Sequence, residues 1–175
     1  MVIHTADELL DIVDKNDQVI GQKRRSEVYE KQLSNFRVIN AVIVNSEGKL
    51  WISRRTAYKR VFPLALDMSA AGHVESGETY EQAFARELQE ELNLTLDQVN
   101  YKLVGYFTPH EHGVSAFMKV YEMQINEVPD YNKNDFIEYF WLSPNELLQK
   151  IAIGEPAKGD LPKIVKLLYT HAIQL

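Results

Sequence analysis

Between Thr79 and Leu94 the apolar residues Phe84, Leu88 and Leu92 recur every four positions with Ala85 beside them, the period of an amphipathic helix. Thr79 can cap its start, and Gln82, three residues on, can complete a capping box. The same segment, GHVESGETYEQAFARELQEELNL (residues 72–94), sets Glu75, Glu78, Glu81, Glu87, Glu90 and Glu91 within 17 residues, with Arg86 the only cation among them. Residues three and four apart share a helix face, so Glu87, Glu90 and Glu91 crowd together. Each like-charge pair costs roughly 0.2 to 0.5 kcal/mol when exposed, and more in a cleft where water is scarce. A merely solubilising face would intersperse lysines at four-residue spacing, yet no lysine occurs between Lys59 and Lys102. A divalent cation relieves the crowding. Carboxylate oxygens are the donors that Mg²⁺, Mn²⁺ and Ca²⁺ take, and Mg²⁺ normally completes its shell with water and substrate phosphate.

The rest of the chain is compatible with an enzyme of ordinary composition. Its 175 residues suffice for one domain with a real core, read here as residues 1–175, and 45% hydrophobic with 25% charged residues is typical of a globular protein. A formal charge of −6 argues against non-specific nucleic-acid binding. The chain has no cysteine, which excludes disulfides, thiolate metal sites and cysteine nucleophiles. No segment approaches the ~20 consecutive apolar residues that cross a bilayer. The expectation is a cytoplasmic protein with neither a membrane nor a nucleic-acid partner.

Residues 9–24 read as a β-hairpin around Lys15-Asn16-Asp17, whose edge could pair with a second copy to give a homodimer. A second hairpin is expected from Val38 to Val44 and from Leu50 to Ser53, turning at Ser46-Glu47-Gly48. Strands follow in YKLVGYFTP, VSAFMKVYEMQI and FIEYFWL, a helix starts at Ser143-Pro144, and a C-terminal helix spans 160–174. Such alternation predicts an α/β protein in which helices pack on a mixed sheet. Gly72 and Gly77 bracket the loop into the acidic helix and supply the φ values for folding it back over a site. Upstream, Arg54, Arg55, Lys59 and Arg60 form the one dense basic cluster ahead of that helix, either an ordinary charged loop or a phosphate clamp.

Gly72, Glu78 and the run Arg86-Glu87-Leu88-Gln89-Glu90-Glu91-Leu92-Asn93-Leu94 resemble the Nudix box, G-x5-E-x7-R-E-U-x-E-E-x-G-U, at 23 residues of fixed spacing. One position departs. Asn93 stands where the family has glycine, and Asn is the next most tolerant residue of the left-handed turn that ends a helix. Residues 51–73 are similar to the segment ahead of the box in the branch that includes isopentenyl-diphosphate isomerase, where an Arg and a Lys matching Arg55 and Lys59 bind diphosphate. The resemblance implies an α/β/α sandwich with a mixed sheet that hydrolyses a nucleoside diphosphate linked to another moiety, with Mg²⁺ or Mn²⁺. It further implies that Glu87, Glu90 and Glu91 carry the metal, joined by the Gly72 carbonyl. Arg86 would hold the acids in place and Glu78 would brace the loop. The water-activating base would come from the position of Glu87 or from a loop, for which Glu111 and Glu138 are candidates. Phe140 stands where some relatives have an acidic residue, and His110 and His112 are candidates for substrate contact.

Two other readings share the fold. The isomerase depends on a cysteine and on a metal site built largely from histidines, and it carries a degraded box, whereas this sequence has no cysteine and an almost intact box. A catalytically silent nucleotide-binding sensor would be marked by lost box glutamates, and all are present. The substrate is expected to be a small diphosphate, with a nucleotide favoured because Tyr58, Phe62, Tyr106 and Phe107 could stack a base.

Overall fold

A computed structural model describes residues 6–170. A hairpin of β1 (Leu9–Val13) and β2 (Val19–Arg24) leads into a short helix, α1 (Arg25–Glu30), which the sequence patterning had not indicated. Next come β3 (Arg37–Val44), β4 (Leu50–Arg55), β5 (Leu66–Asp67) and β6 (Ala70–His73), and then α2 (Tyr80–Leu92). The chain continues through β7 (Tyr101–Phe107), α3 (Pro109–His112), β8 (Phe117–Gln124), β9 (Phe136–Leu142), α4 (Pro144–Ala152) and α5 (Asp160–Tyr169). The C-terminal helix is therefore described as far as Tyr169, and residues 171–174 of the expected span lie outside the described residues. Among the described residues no helix is long and apolar enough to cross a membrane.

Among the described residues seven strands form one mixed sheet in the order β5-β4-β3-β8-β7, with β6 added on β3 and β9 on β4. β3 lies parallel to β8 along its whole length and antiparallel to β4 and β6. The expected second hairpin forms only at its turn. β3 and β4 pair at just Ile43–Trp51 and Val44–Leu50, then diverge so that β3 takes β6 and β4 takes β5, while β9 pairs along the other edge of β4. Ser69 bridges the gap: its hydroxyl accepts from the Ile43 N–H at 2.8 Å and donates to the Trp51 carbonyl at 2.6 Å. Alternation along β3 sends Ile39, Ala41 and Ile43 to one face and Val42 and Val44 to the other. The first set packs with Phe84, Leu88 and Leu92 of α2, and the second with Leu147 of α4 and Leu161, Ile164 and Val165 of α5. Helices thus cover both faces, the α/β/α sandwich of the sequence reading.

The split between β3 and β4 positions the site. It lets β6 run beside β3 with Gly72 opposite Ile39, directly over the helix α2 that follows.

Candidate active site

Helix α2 begins and ends on side chains that fix its register. Thr79 Oγ1 accepts from the Gln82 N–H at 3.1 Å and Gln82 Oε1 accepts from the Thr79 N–H at 2.8 Å, so the capping box is formed. At the other end Asn93 takes the left-handed conformation (φ 53°, ψ 35°). It does more than glycine could, because its side-chain amide donates to the Asp130 carbonyl at 2.6 Å. The Asn132 N–H donates to the Glu91 carbonyl at 2.8 Å, which also fastens the loop ahead of β9 to the end of α2.

The three clustered carboxylates do not have equal surroundings. Glu87 and Glu91 are buried beneath β6, whereas Glu90 is exposed at the rim. Glu87 lies so close to β6 that a Cβ on Gly72 would stand 2.0 Å from its Oε1. Gly72 has no positive φ, so its need for glycine is the space the carboxylate occupies, not the loop freedom expected from sequence. Gly77 does take a positive φ of 85°. Burial pushes the Glu87 carboxyl up to about 7 despite the adjacent Arg86, with Glu90 and Glu8 adding to the rise. Glu91 is raised as well, by burial first and then by the neighbouring Glu87 and Asp135, against one hydrogen bond from the Ala71 N–H at 3.0 Å.

Arg86 ties the cluster to the loop before it. Its Nε and Nη2 donate to the two oxygens of Glu78 at 3.0 and 2.9 Å, Nη2 also donates to the His73 carbonyl at 2.9 Å, and Nη1 donates to Glu87 at 2.7 Å. Glu78 in turn accepts from the Glu75 N–H at 2.8 Å. One guanidinium therefore spans loop, β6 and helix. Among the described residues no three acidic or histidine side chains are gathered as a finished metal site. What exists is two buried carboxylates, Glu87 beside Arg86 and Glu91 bound by the Ala71 N–H, an all-oxygen donor set that suits a hard divalent ion and is disfavoured without one.

These groups open on a cavity of about 520 Å³ that runs between α1, β6, α2 and the loop after β4. Arg55 and Lys59 line it. Arg55 Nη1 donates to Asp67 at 2.8 Å, Lys59 pairs with Asp135 at 2.5 Å, and Lys158, from the loop before α5, stands 3.6 Å from Asp67. Arg54 is not brought there. Neighbouring residues of a strand face opposite ways, and Arg54 pairs with Glu138 and Glu155 while lying over the Phe140 ring. Glu138 is thereby removed from the cavity too, and Glu111 sits on α3 beside His110, outside the lining. His112 Nδ1 accepts from the Thr108 N–H at 3.0 Å, a cap for its own turn. Tyr58 and Phe62 reach the cavity, while Tyr106 is bound to Asp17 and Phe107 packs in the core. Asp67, Asp135 and Lys158 were not marked by any spacing in the sequence. They reach the cavity only through strand pairing and loop closure.

A family model for the NUDIX domain matches residues 35–161. An uncharacterised Nudix hydrolase of Nostoc sp. is 62% identical over 164 residues, 94% of this chain and 97% of that protein. A Nudix hydrolase of Deinococcus radiodurans is 45% identical over 164 residues, 94% of this chain and 95% of that protein. A crystal structure from Deinococcus radiodurans, also 45% identical, superposes with a TM-score of 0.88 over 93% of this chain and 99% of that one.

Proposed function

The chain belongs to the Nudix hydrolase family, and from that premise we propose that it cleaves a phosphoanhydride bond in a nucleoside diphosphate linked to a further group, using Mg²⁺ or Mn²⁺ held by Glu87, Glu90 and Glu91 with the Gly72 carbonyl. One observation carries this reading. The buried pair Glu87 and Glu91 opens on the same cavity as Arg55, Lys59 and Lys158, so a site for hard cations faces a site for phosphate oxygens.

In this reading Arg55, Lys59 and Lys158 exchange their contacts with Asp67 and Asp135 for the non-bridging oxygens of the diphosphate. The bound cation supplies Lewis-acid polarisation of the phosphoryl group and a lowered pKa for the attacking water. Arg86 keeps Glu87 aligned through the contacts it makes with Glu78 and the His73 carbonyl. Of the three carboxylates weighed as the base, Glu87 alone faces the cavity, so it is assigned the water's proton. Hydrolysis breaks the bond between phosphorus and the bridging oxygen, and both products leave as phosphates.

The test is a Mg²⁺ and Mn²⁺ assay across nucleoside di- and triphosphates, nucleotide sugars, dinucleoside polyphosphates and prenyl diphosphates, with products identified. Glu90→Gln with Glu91→Gln is expected to abolish metal-dependent turnover, by at least about 100-fold, while the melting temperature is retained. Full activity in that variant overturns the site. Tight nucleotide binding by the wild type with no turnover on any substrate would instead support a sensor.

A further inference from the structure

The cavity is lined by two clusters of different chemistry, one rich in cations and one in aromatic rings. In the cationic cluster stand Arg55, Lys59 and Lys158, each beside Asp67 or Asp135. In the other, Tyr29 of α1, Phe36 and His73, the residue after Gly72, form an aromatic corner. Ring centroids are 6.1 Å apart for Tyr29 and Phe36, and 5.8 Å for each of these with His73. The His73 ring is held from both sides: Nε2 lies 2.9 Å from the Tyr29 hydroxyl and Nδ1 lies 3.0 Å from Glu8 Oε2. Its carbonyl accepts from Arg86, so the corner is rigidly joined to the box.

Tyr29 is nonetheless 43% exposed, and the Arg25 guanidinium stands 5.2 Å from its ring centroid. An exposed aromatic with a cation on its ring, in a corner that already holds two more rings, is a surface on which a further flat group gains stacking contact. The groups around it that His73 does not already engage, Arg25 and Gln32, offer donors and an acceptor in the same place. That mixture favours a heteroaromatic ring with polar edges over an alkyl or prenyl chain, which would leave those groups unpaired.

We infer that the corner of Tyr29, Phe36 and His73, with Arg25, is the subsite for the nucleobase of the substrate, and that Tyr29 sets the preference for a nucleotide over other diphosphates. The inference rests on the diphosphate reading above and adds to it the part of the cavity in which the base lies. It makes α1 part of the substrate site, not an appendage to the sheet.

Binding is measured by calorimetry in Mg²⁺ with compounds that cannot be hydrolysed: the α,β-methylene analogues of ADP and UDP, and methylenediphosphonate, which has no base. The wild type is expected to bind at least one nucleotide analogue about ten-fold more tightly than methylenediphosphonate, and Tyr29→Ala to lose that margin while its affinity for methylenediphosphonate stays the same. Tyr29→Phe, which keeps the ring, is expected to retain most of the margin. The assignment is overturned if the wild type shows no margin, if Tyr29→Ala weakens both kinds of compound equally, or if the geranyl ester of methylenediphosphonate, which cannot be hydrolysed at the P–C–P bridge, binds as tightly as the nucleotide analogues. Binding of methylenediphosphonate without a nucleotide margin sinks this subsite alone. Failure of every compound to bind removes the diphosphate reading, and the subsite with it.

Discussion

Two glycines of the box, Gly72 and Gly77, are needed for different reasons, and the difference is measurable. Gly77 sits at φ 85° with open space around it, so any side chain there strains the backbone. Gly72 has an ordinary backbone, but an added methyl would meet the Glu87 carboxylate at 2.0 Å. Gly72→Ala should therefore displace Glu87, lowering kcat by at least about ten-fold and costing about 1–3 kcal/mol in denaturant unfolding. Unchanged kcat would show that Glu87 acts in some other position. The same carboxylate makes stability depend on pH. Its folded-state pKa is raised, to about 7, above the ordinary carboxylate value, so the folded protein binds the proton more tightly than the unfolded chain does. That contribution is fully present below the unfolded value and is lost as pH rises through 7. In EDTA the melting temperature should fall between pH 5 and 8, less steeply in Glu87→Gln, and Mg²⁺ should flatten the fall by occupying the ionised site. Equal slopes for wild type and Glu87→Gln, with or without Mg²⁺, would contradict both the buried charge and the metal.

At the level of elements, the hairpin of β1 and β2 supports the loop between β6 and α2. Asp11 accepts from the Ser76 hydroxyl at 2.7 Å, the Gly77 N–H at 3.1 Å and Gln22 at 3.2 Å, and the Ser76 N–H donates to the Leu9 carbonyl at 2.8 Å. The hairpin's tip is anchored as well, since Asp17 accepts from Arg37, Tyr80 and Tyr106. Asp11→Ala leaves two donors of the box loop without their acceptor, and a cost of about 1–3 kcal/mol is expected. Because that loop carries Glu75 and Glu78 to Arg86, kcat should drop more than KM rises. A variant that loses stability yet keeps kcat would reduce the hairpin to a packing element. The hairpin itself was legible from its turn residues and apolar runs. Its attachment was not, because hydrogen bonds from residues 76 and 77 to residue 11 leave no periodic trace in either segment.

For the molecule as a whole, the two faces of the sheet carry separate packed layers, and α2 belongs to the layer that also holds the site. Phe84 is fully buried and stacks on Tyr121 with centroids 4.3 Å apart. Phe84→Ala is expected to cost about 3–5 kcal/mol in urea unfolding. A loss below about 1 kcal/mol would mean that α2 is not held by this layer. From the sequence alone came helix α2, its capping box, the shared face of Glu87, Glu90 and Glu91, and the strands β7, β8 and β9 as segments. Those follow from residues three or four apart on a helix and from alternation along a strand, which are local regularities. The chain's own order also carried the tolerance of Asn93 as a helix stop, though not its bond to Asp130. Only the tertiary structure decided that Arg55 enters the cavity while Arg54 turns to Glu138, since alternation separates neighbours without saying which face meets the site. It likewise decided that Asp67, Asp135 and Lys158 join the cavity and that Tyr29 lines it. Those placements depend on which strands pair at long range and on how the loops between them close, and no short window of residues encodes either.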